Sequence, residues 1–267
     1  MEHSFKRILI QLTRNFCTFT LQTSGFIESQ LKIKNRNKRL DCKNGSKYLL
    51  KIFHGEMSKN RVRLQEQLDF QYFLKESGIL VPAIVKDSKG QLQSYHPFKL
   101  ANNQTGDCAV RMLEYVEGNI CQKLPLCNDF FNQIGQNCAK MHNLMASNSN
   151  RFPGLNQCTH DWTLETVVTD PAWTKKSSAI DNEKTRSIVG DILKEFTCYV
   201  DENKHLPSGI VHCDLNSLNI IGEEENGKVN LRAIIDFGDV CHSLFMFDLA
   251  ICLIYMMVAA KVQNVSF

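Results

Sequence analysis

Residues 209–239 read GIVHCDLNSLNIIGEEENGKVNLRAIIDFGD, and most of the chemistry legible in this chain lies within them. His212-Cys213-Asp214 comes first, and Asn219 follows five residues after the aspartate. A turn-rich run from Gly222 to Gly227 then leads to an apolar segment, Leu231 to Ile235, that ends at Asp236. Asn226-Gly227 between apolar segments is a strong hairpin signal, because both residues tolerate the left-handed backbone of a tight turn. The sequence therefore predicts that Asn219–Ile221 pairs with Leu231–Ile235. That pairing brings Asn219 and Asp236 close together, with Asp214 in the loop just before. A lone aspartate is ordinarily a surface residue or a cap. Two oxygen ligands and a third carboxylate on one short hairpin suit a hard divalent cation and a hydroxyl nucleophile.

The spacing H-x-D-x-x-x-x-N followed by D-F-G is that of protein-kinase-like phosphotransferases. HCDLNSLN is not the H-R-D-L-x-x-x-N of a protein kinase; it resembles the HGDLNxxN of the aminoglycoside phosphotransferase and choline kinase family. The resemblance implies an α+β, two-lobed fold. Its N-terminal lobe, 1–116, is a small antiparallel sheet with one helix, and its C-terminal lobe, 117–267, is mainly helical and carries the catalytic hairpin. Asp214 and His212 become the catalytic pair, Asp214 receiving the hydroxyl proton and His212 supporting the loop. Asn219 and Asp236 become the ligands of Mg²⁺. The runs NIIGEEE, IIDFGDV and FDLAICLIYMM resemble the branch that phosphorylates 5-hydroxy-L-lysine, with GTP the expected donor and ATP the alternative. Choline, homoserine, fructosamine and aminoglycoside acceptors remain open, as does an inactive, truncated member. Asp239, and with it Glu165, is a candidate for the substrate ammonium.

Composition sets outer limits. The chain has 267 residues, 43% hydrophobic and 22% charged, with a net charge of +3 that gives no reason to expect nucleic acid. Its 11 cysteines form no C-x-x-C pair, which reads as reduced thiols in a cytoplasmic protein. Residues 1–24 carry Lys6, Arg7 and Arg14, with no acid between Glu2 and Glu28. A mitochondrial transit peptide is one reading; a loosely attached helix with Phe5, Leu9 and Leu12 along one side is the preferred one. The apolar run Phe245–Ala260 is shorter than the ~20 residues of a membrane span and contains Asp248. It is taken as a buried helix. The family continues beyond this point, so an exposed apolar patch and a dimer through that helix are expected.

Along the rest of the chain, residues 31–44 are basic (Lys32, Lys34, Arg36, Lys38, Arg39). Asn44-Gly45 is a turn and Tyr48–Phe53 a strand. Lys51 within that strand either snorkels from a sheet edge or, as YLLKI resembles the family's Y-V-L-K-I, holds the nucleotide phosphates. Asn35-Arg36-Asn37 stand where the resemblance expects a D-x-N-F phosphate loop, with Lys38 in place of the aromatic. This basic run either attracts triphosphate or is a solvated face. A helix over 60–77, ended by Gly78, has Leu64, Leu68 and Tyr72 on one stripe and Glu66, Phe70 and Phe73 on another. By resemblance Glu66 pairs with Lys51. Residues 86–107 read as polar connections, and Val110–Val116 as a strand into the hinge. There, by resemblance, backbone groups at Glu114 and Val116 hold the purine. A helix over 129–145 carries Phe131, Ile134, Cys138, Met141 and Met145 on one face. Its His142 reads as packing or capping. Trp162 and Trp173 either line an entrance or belong to a core, and Ile188, Ile192 and Phe196 mark a further helix.

Overall fold

The computed structural model describes residues 36–42, 44–99, 105–148, 150–157 and 163–263. The expected N-terminal helix over 1–24, Lys32, Lys34, Asn35 and Trp162 lie outside them. The chain divides between Glu117 and Gly118 into two compact units.

Among the described residues, the first unit is an antiparallel sheet with two helices. β1 (Arg36–Asp41) and β2 (Lys47–Ile52) form a hairpin, α1 (Gly55–Lys59) and α2 (Arg61–Glu76) follow, and then come β3 (Ile84–Val85), β4 (Ser94–Lys99) and β5 (Thr105–Glu114). The Asn44-Gly45 turn, with Gly45 at φ 84°, sets the register of the hairpin at Asp41 opposite Lys47. Pairing then runs back to Arg36 opposite Ile52. Arg36 and Asn37, expected in a phosphate loop, are therefore strand residues, and Asn37 stands opposite Lys51. β5 is the spine of the sheet: it pairs with β2 on one edge and with β3 and β4 on the other. β4 corrects the expectation of polar connections over 86–107. Its Pro97 has no ladder donor, which an edge strand accommodates. Asn60 caps α2 by accepting the Arg63 N–H, and the chain leaves the helix through Gly78 at φ 78°. Leu64, Leu68 and Phe70 are buried, but Tyr72 is exposed; Gln67 and Gln71 occupy the buried face instead. The Gln71 amide donates to the Pro82 carbonyl at 2.9 Å, so a polar side chain satisfies the loop that passes beneath it.

In the second unit, β6 (Asn119–Ile120) leads through a 3-10 turn at Cys121–Lys123 into α3 (Asn128–Ala146). Then come α4 (Pro153–Asn156), α5 (Leu164–Thr169), α6 (Pro171–Ser178) and α7 (Glu183–Glu202). β7 (Ser208–Val211), β8 (Ile220–Glu225), β9 (Lys228–Ile234), β10 (Cys241–Leu244) and α8 (Phe245–Val262) complete it. β6, β8 and β9 make one antiparallel sheet, and β7 pairs with β10. α3 packs against β7 and β9. Its buried face runs through Phe130, Ile134, Cys138, Met141 and Met145, so Phe130 rather than Phe131 fills the core. α7 is less embedded than its pattern suggests. Ile188 and Ile192 are exposed, and the helix packs through Phe196 and Val200 onto Leu244 and Phe247. α8 is buried on one side and, as expected, exposes an apolar patch on the other. Phe247, Asp248, Cys252 and Met256 face inward, while Leu249, Leu253, Ile254, Met257 and Val258 are exposed.

Candidate active site

The hairpin of β8 and β9 closes on Asn226-Gly227, with φ 52° and 75° and Glu225 opposite Lys228. This is the two-residue turn whose twist matches that of the strands. Glu223–Glu225, expected in the turn, extend β8 instead. At the open end Ile220 pairs with Ile234, and the Ile235 N–H donates to the Asn219 carbonyl at 2.9 Å. One more bond thus carries the pairing to Asn219 and brings Asp236, the next residue, to its side. Asp236 is exposed and left-handed, at φ 65°. A non-glycine residue in that region carries backbone strain that its surroundings must hold.

Asp214 is fixed at both carboxylate oxygens. Oδ1 accepts from Asn216 Nδ2 at 2.6 Å and Oδ2 from Asn219 Nδ2 at 2.9 Å. Asn219 Nδ2 also donates to the Asp214 carbonyl at 2.8 Å. With its amide nitrogen spent on Asp214, Asn219 offers a cation its amide oxygen. That oxygen and the exposed carboxylate of Asp236 are the hard donors that Mg²⁺ prefers, so the residues fit such an ion. Asn216 Oδ1 accepts the N–H of Leu218 at 2.8 Å and of Asn219 at 3.2 Å. One side chain thus folds the turn and orients the carboxylate.

His212 is fully buried. Its Nε2 lies 2.9 Å from the Ile235 carbonyl, and its Nδ1 is 3.3 Å from the Asp214 N–H. Nε2 donates and Nδ1 accepts, so the imidazole bridges the loop to the end of β9. It is a positioning residue. A deeper brace is Asp248, 1% exposed, in the first turn of α8. Its Oδ1 accepts the Cys213 N–H at 3.0 Å, and its Oδ2 accepts the His212 N–H at 3.3 Å and a bond from His142 Nε2 at 2.9 Å. His142 also stacks on Phe245 at 4.8 Å, in keeping with its reading as a packing histidine. Cys138, His142 and Asp248 each place one ligand atom within 4.8 Å of the others, an arrangement that this hydrogen bonding accounts for.

The other candidates are spread over both units. Glu165 Oε1 accepts from Ser243 Oγ at 2.7 Å and from the Leu244 N–H at 3.3 Å, tying α5 to the end of β10. Asp239 is half-buried. Trp173 is half-buried on α6, with Lys176 Nζ 4.3 Å from its ring centroid. In the first unit Lys51 is 6% exposed, with Nζ 5.4 Å from the Phe53 ring centroid. Its register partner Arg111 lies over the same ring at 4.4 Å. Arg111 donates to Gln93 Oε1 and to the Leu64 carbonyl, and burial pulls its guanidinium down to about 9. Glu66 is half-buried on α2, and Asn37 is exposed on β1. At the end of β5 the Glu114 N–H donates to Ala83 and the Tyr115 N–H to Lys47, so both backbone donors are used within the unit. Glu114 is exposed and Val116 half-buried.

A model of the phosphotransferase enzyme family matches residues 31–264. The chain belongs to the phosphotransferase enzyme family. Among relatives of this chain, the hydroxylysine kinase of Bos taurus is 26% identical over 220 residues, covering 80% of this chain and 57% of that protein. The hydroxylysine kinase of Xenopus laevis is 24% identical over 226 residues, covering 80% and 59%. The chain thus spans less than three-fifths of the length of either curated relative. Two solved structures share the fold. One is an amicoumacin kinase in complex with AMP-PNP and Ca²⁺ (TM-score 0.65, 17% identity, 97% of this chain and 72% of that one). The other is a microcompartment-associated aminopropanol kinase (TM-score 0.66, 18% identity, 93% and 74%). The architecture is accordingly the α+β, protein-kinase-like fold.

Asn216, Asp248 and Arg111 were not among the site residues expected from the sequence. Each left a signal. Asp248 interrupts an otherwise apolar helix, and Arg111 an apolar strand; a charge in such a place is buried only if it is partnered. Asn216 sits in an Asp-x-Asn turn.

Proposed function

We propose that this chain transfers the terminal phosphate of a nucleoside triphosphate to the hydroxyl of 5-hydroxy-L-lysine, giving 5-phosphooxy-L-lysine. GTP is the favoured donor and ATP the alternative. The observation that supports phosphoryl transfer most directly is the Asp214 carboxylate, held at both oxygens beside the donor set of Asn219 and Asp236. The narrower choice of acceptor is supported by the similarity to proteins named hydroxylysine kinase.

In this reading Asp214 accepts the proton of the substrate hydroxyl and aims its oxygen at the phosphorus. Asn216 and Asn219 restrict that carboxylate to one orientation, and His212 and Asp248 hold the loop that presents it. Mg²⁺, held by Asn219 and Asp236, would neutralise phosphate charge. Lys51 adds positive charge for the phosphates, and Glu66 is its proposed partner. Glu114 and Val116 supply backbone contacts to the purine, and Asn37, opposite Lys51, lies on the same nucleotide side. Asp239 receives the substrate ammonium. A cytoplasmic location and self-association through α8 belong to the same proposal.

The test is a panel of 5-hydroxy-L-lysine, L-lysine, choline and homoserine, each with Mg-GTP and Mg-ATP, read as phosphorylated product by mass spectrometry. Product is expected with hydroxylysine and none with lysine, because groups placed for the hydroxyl are left unpaired without it. Faster turnover of choline or homoserine would assign the chain to another acceptor.

A further inference from the structure

Two thiols meet immediately behind the catalytic loop. Cys241 opens β10 opposite Val211, the last residue of β7, and Cys213 follows two positions later. A straight strand would leave such diagonal neighbours roughly 7–8 Å apart. Cys213 instead takes φ 64°, which turns the chain back, and its Sγ lies 3.2 Å from Cys241 Sγ. Cys241 is fully buried and Cys213 nearly so. Thr163 Oγ1 lies 3.5 Å from Cys241 Sγ. The left-handed region costs a residue with a β-carbon roughly 1–2 kcal/mol, a cost glycine would avoid.

We propose that Cys213 and Cys241 form a redox modification site, at which exchange with a low-molecular-weight disulfide joins them and displaces Asp214. The chemistry balances as follows. One cysteine attacks a sulfur of the small disulfide, the S–S bond of that reagent breaks, and one small thiol leaves. The second cysteine then attacks the mixed disulfide, forms the Cys213–Cys241 bond and releases the second small thiol. Two electrons pass from the cysteines to the reagent, and the two thiol protons end on its two thiols.

Closing 3.2 Å to the ~2.05 Å of a disulfide moves the sulfurs together by about 1 Å. Cys213 is bonded directly to Asp214, so the share of that movement taken up by its backbone, against the Asp248 bond to its N–H, displaces the carboxylate. A full ~1 Å misplacement costs ~10²-fold in turnover, and a part of it less. The hydrogen bond with Cys241, burial, and the negative charges of Asp248 and Glu165 hold the Cys213 thiol far above the usual range. Thiolate is therefore scarce and exchange slow, over minutes to hours, so the pair responds to sustained oxidation.

The activity arm rests on the phosphotransferase reading; the sulfur and backbone arms do not. Reduced chain is incubated overnight with oxidised glutathione, its disulfides are mapped by peptide mass spectrometry, and amide exchange over 212–219 and turnover are followed before and after dithiothreitol. A Cys213–Cys241 cross-link is expected, with faster exchange over 212–219 and turnover lowered about 10–100-fold and restored by reduction. Cys241→Ser should keep its reduced activity and lose the response. Absence of the cross-link, or a cross-link with unchanged exchange over 212–219, overturns the proposal. So does unchanged turnover in a chain active when reduced. A chain inactive with every acceptor when reduced refutes the functional reading alone, and the cross-link and exchange data still decide this one.

Discussion

Asp214 lies in the loop before the β8–β9 hairpin and Asp236 just after it, and their variants should separate. Asp236 is exposed, whereas the two carboxylate oxygens of Asp214 anchor Asn216 and Asn219. Asp236→Asn should weaken Mg-nucleotide binding, whereas Asp214→Asn should leave it near the parent value and lower kcat by ~10²–10⁴. Isothermal titration with Mg-nucleotide, beside steady-state kinetics, checks both; equal loss of binding in the two variants refutes the division. Asp248 acts at one remove. Asp248→Asn keeps one acceptor oxygen but sets an amide donor against backbone N–H groups, so stability should fall by about 1–3 kcal/mol. Turnover should drop with nucleotide affinity unchanged. Chemical denaturation measures the first effect, and a KM-against-kcat comparison the second. The candidate ligands and base were legible because their spacing in sequence survives folding. Asp248 was not, since its partners are backbone amides 35 and 36 residues away.

At the scale of elements, the join between β6 and β8 depends on Gly118. It takes φ 128°, and a β-carbon there would press into the Gly222 carbonyl oxygen. Gly118→Ala combines a disfavoured backbone with a collision against main chain that cannot swing aside. A loss of about 2 kcal/mol or more is expected, read as a lower urea midpoint with unchanged slope. A midpoint within error of the parent would show that the sheet relaxes around the extra carbon. Elements with strong local chemistry were readable in advance: both Asn-Gly hairpins and the Gly78 stop. β4 was not, because His96, Pro97 and the polar residues before it give no clean alternation, and β5 supplies its order from outside. The face of α3 was misread by one residue between two adjacent phenylalanines, of which Phe130 meets the core. α7 was read correctly as a helix, though period alone cannot tell which part of its stripe is covered.

For the molecule as a whole, α8 is the element whose two sides disagree most. Inward it carries Asp248 to the loop of His212 and Cys213 and packs Phe247, Cys252 and Met256. Outward it shows Leu249 at 43%, Leu253 at 53%, Ile254 at 60%, Met257 at 59%, Val258 at 52% and Val262 at 78% exposure. By length and composition this helix could also cross a membrane, yet Asp248 is occupied by three bonds within its own unit. Covering the exposed half of six such side chains is worth on the order of 5–10 kcal/mol per chain. A symmetric pair gains that twice, against an association cost of roughly 4–15 kcal/mol. Central values leave about 5 kcal/mol, so the 267-residue chain should self-associate with a Kd of about 100 μM or tighter. Sedimentation velocity from about 1 μM to several hundred micromolar should show the sedimentation coefficient changing with concentration as dimer forms. Leu253→Glu together with Met257→Glu, one turn apart on the outer face, should hold the chain monomeric with its far-UV circular dichroism unchanged. A parent chain that remains monomeric across that range refutes the pairing, and partition of the parent, but not the double variant, into neutral phosphatidylcholine vesicles would assign the face to lipid instead.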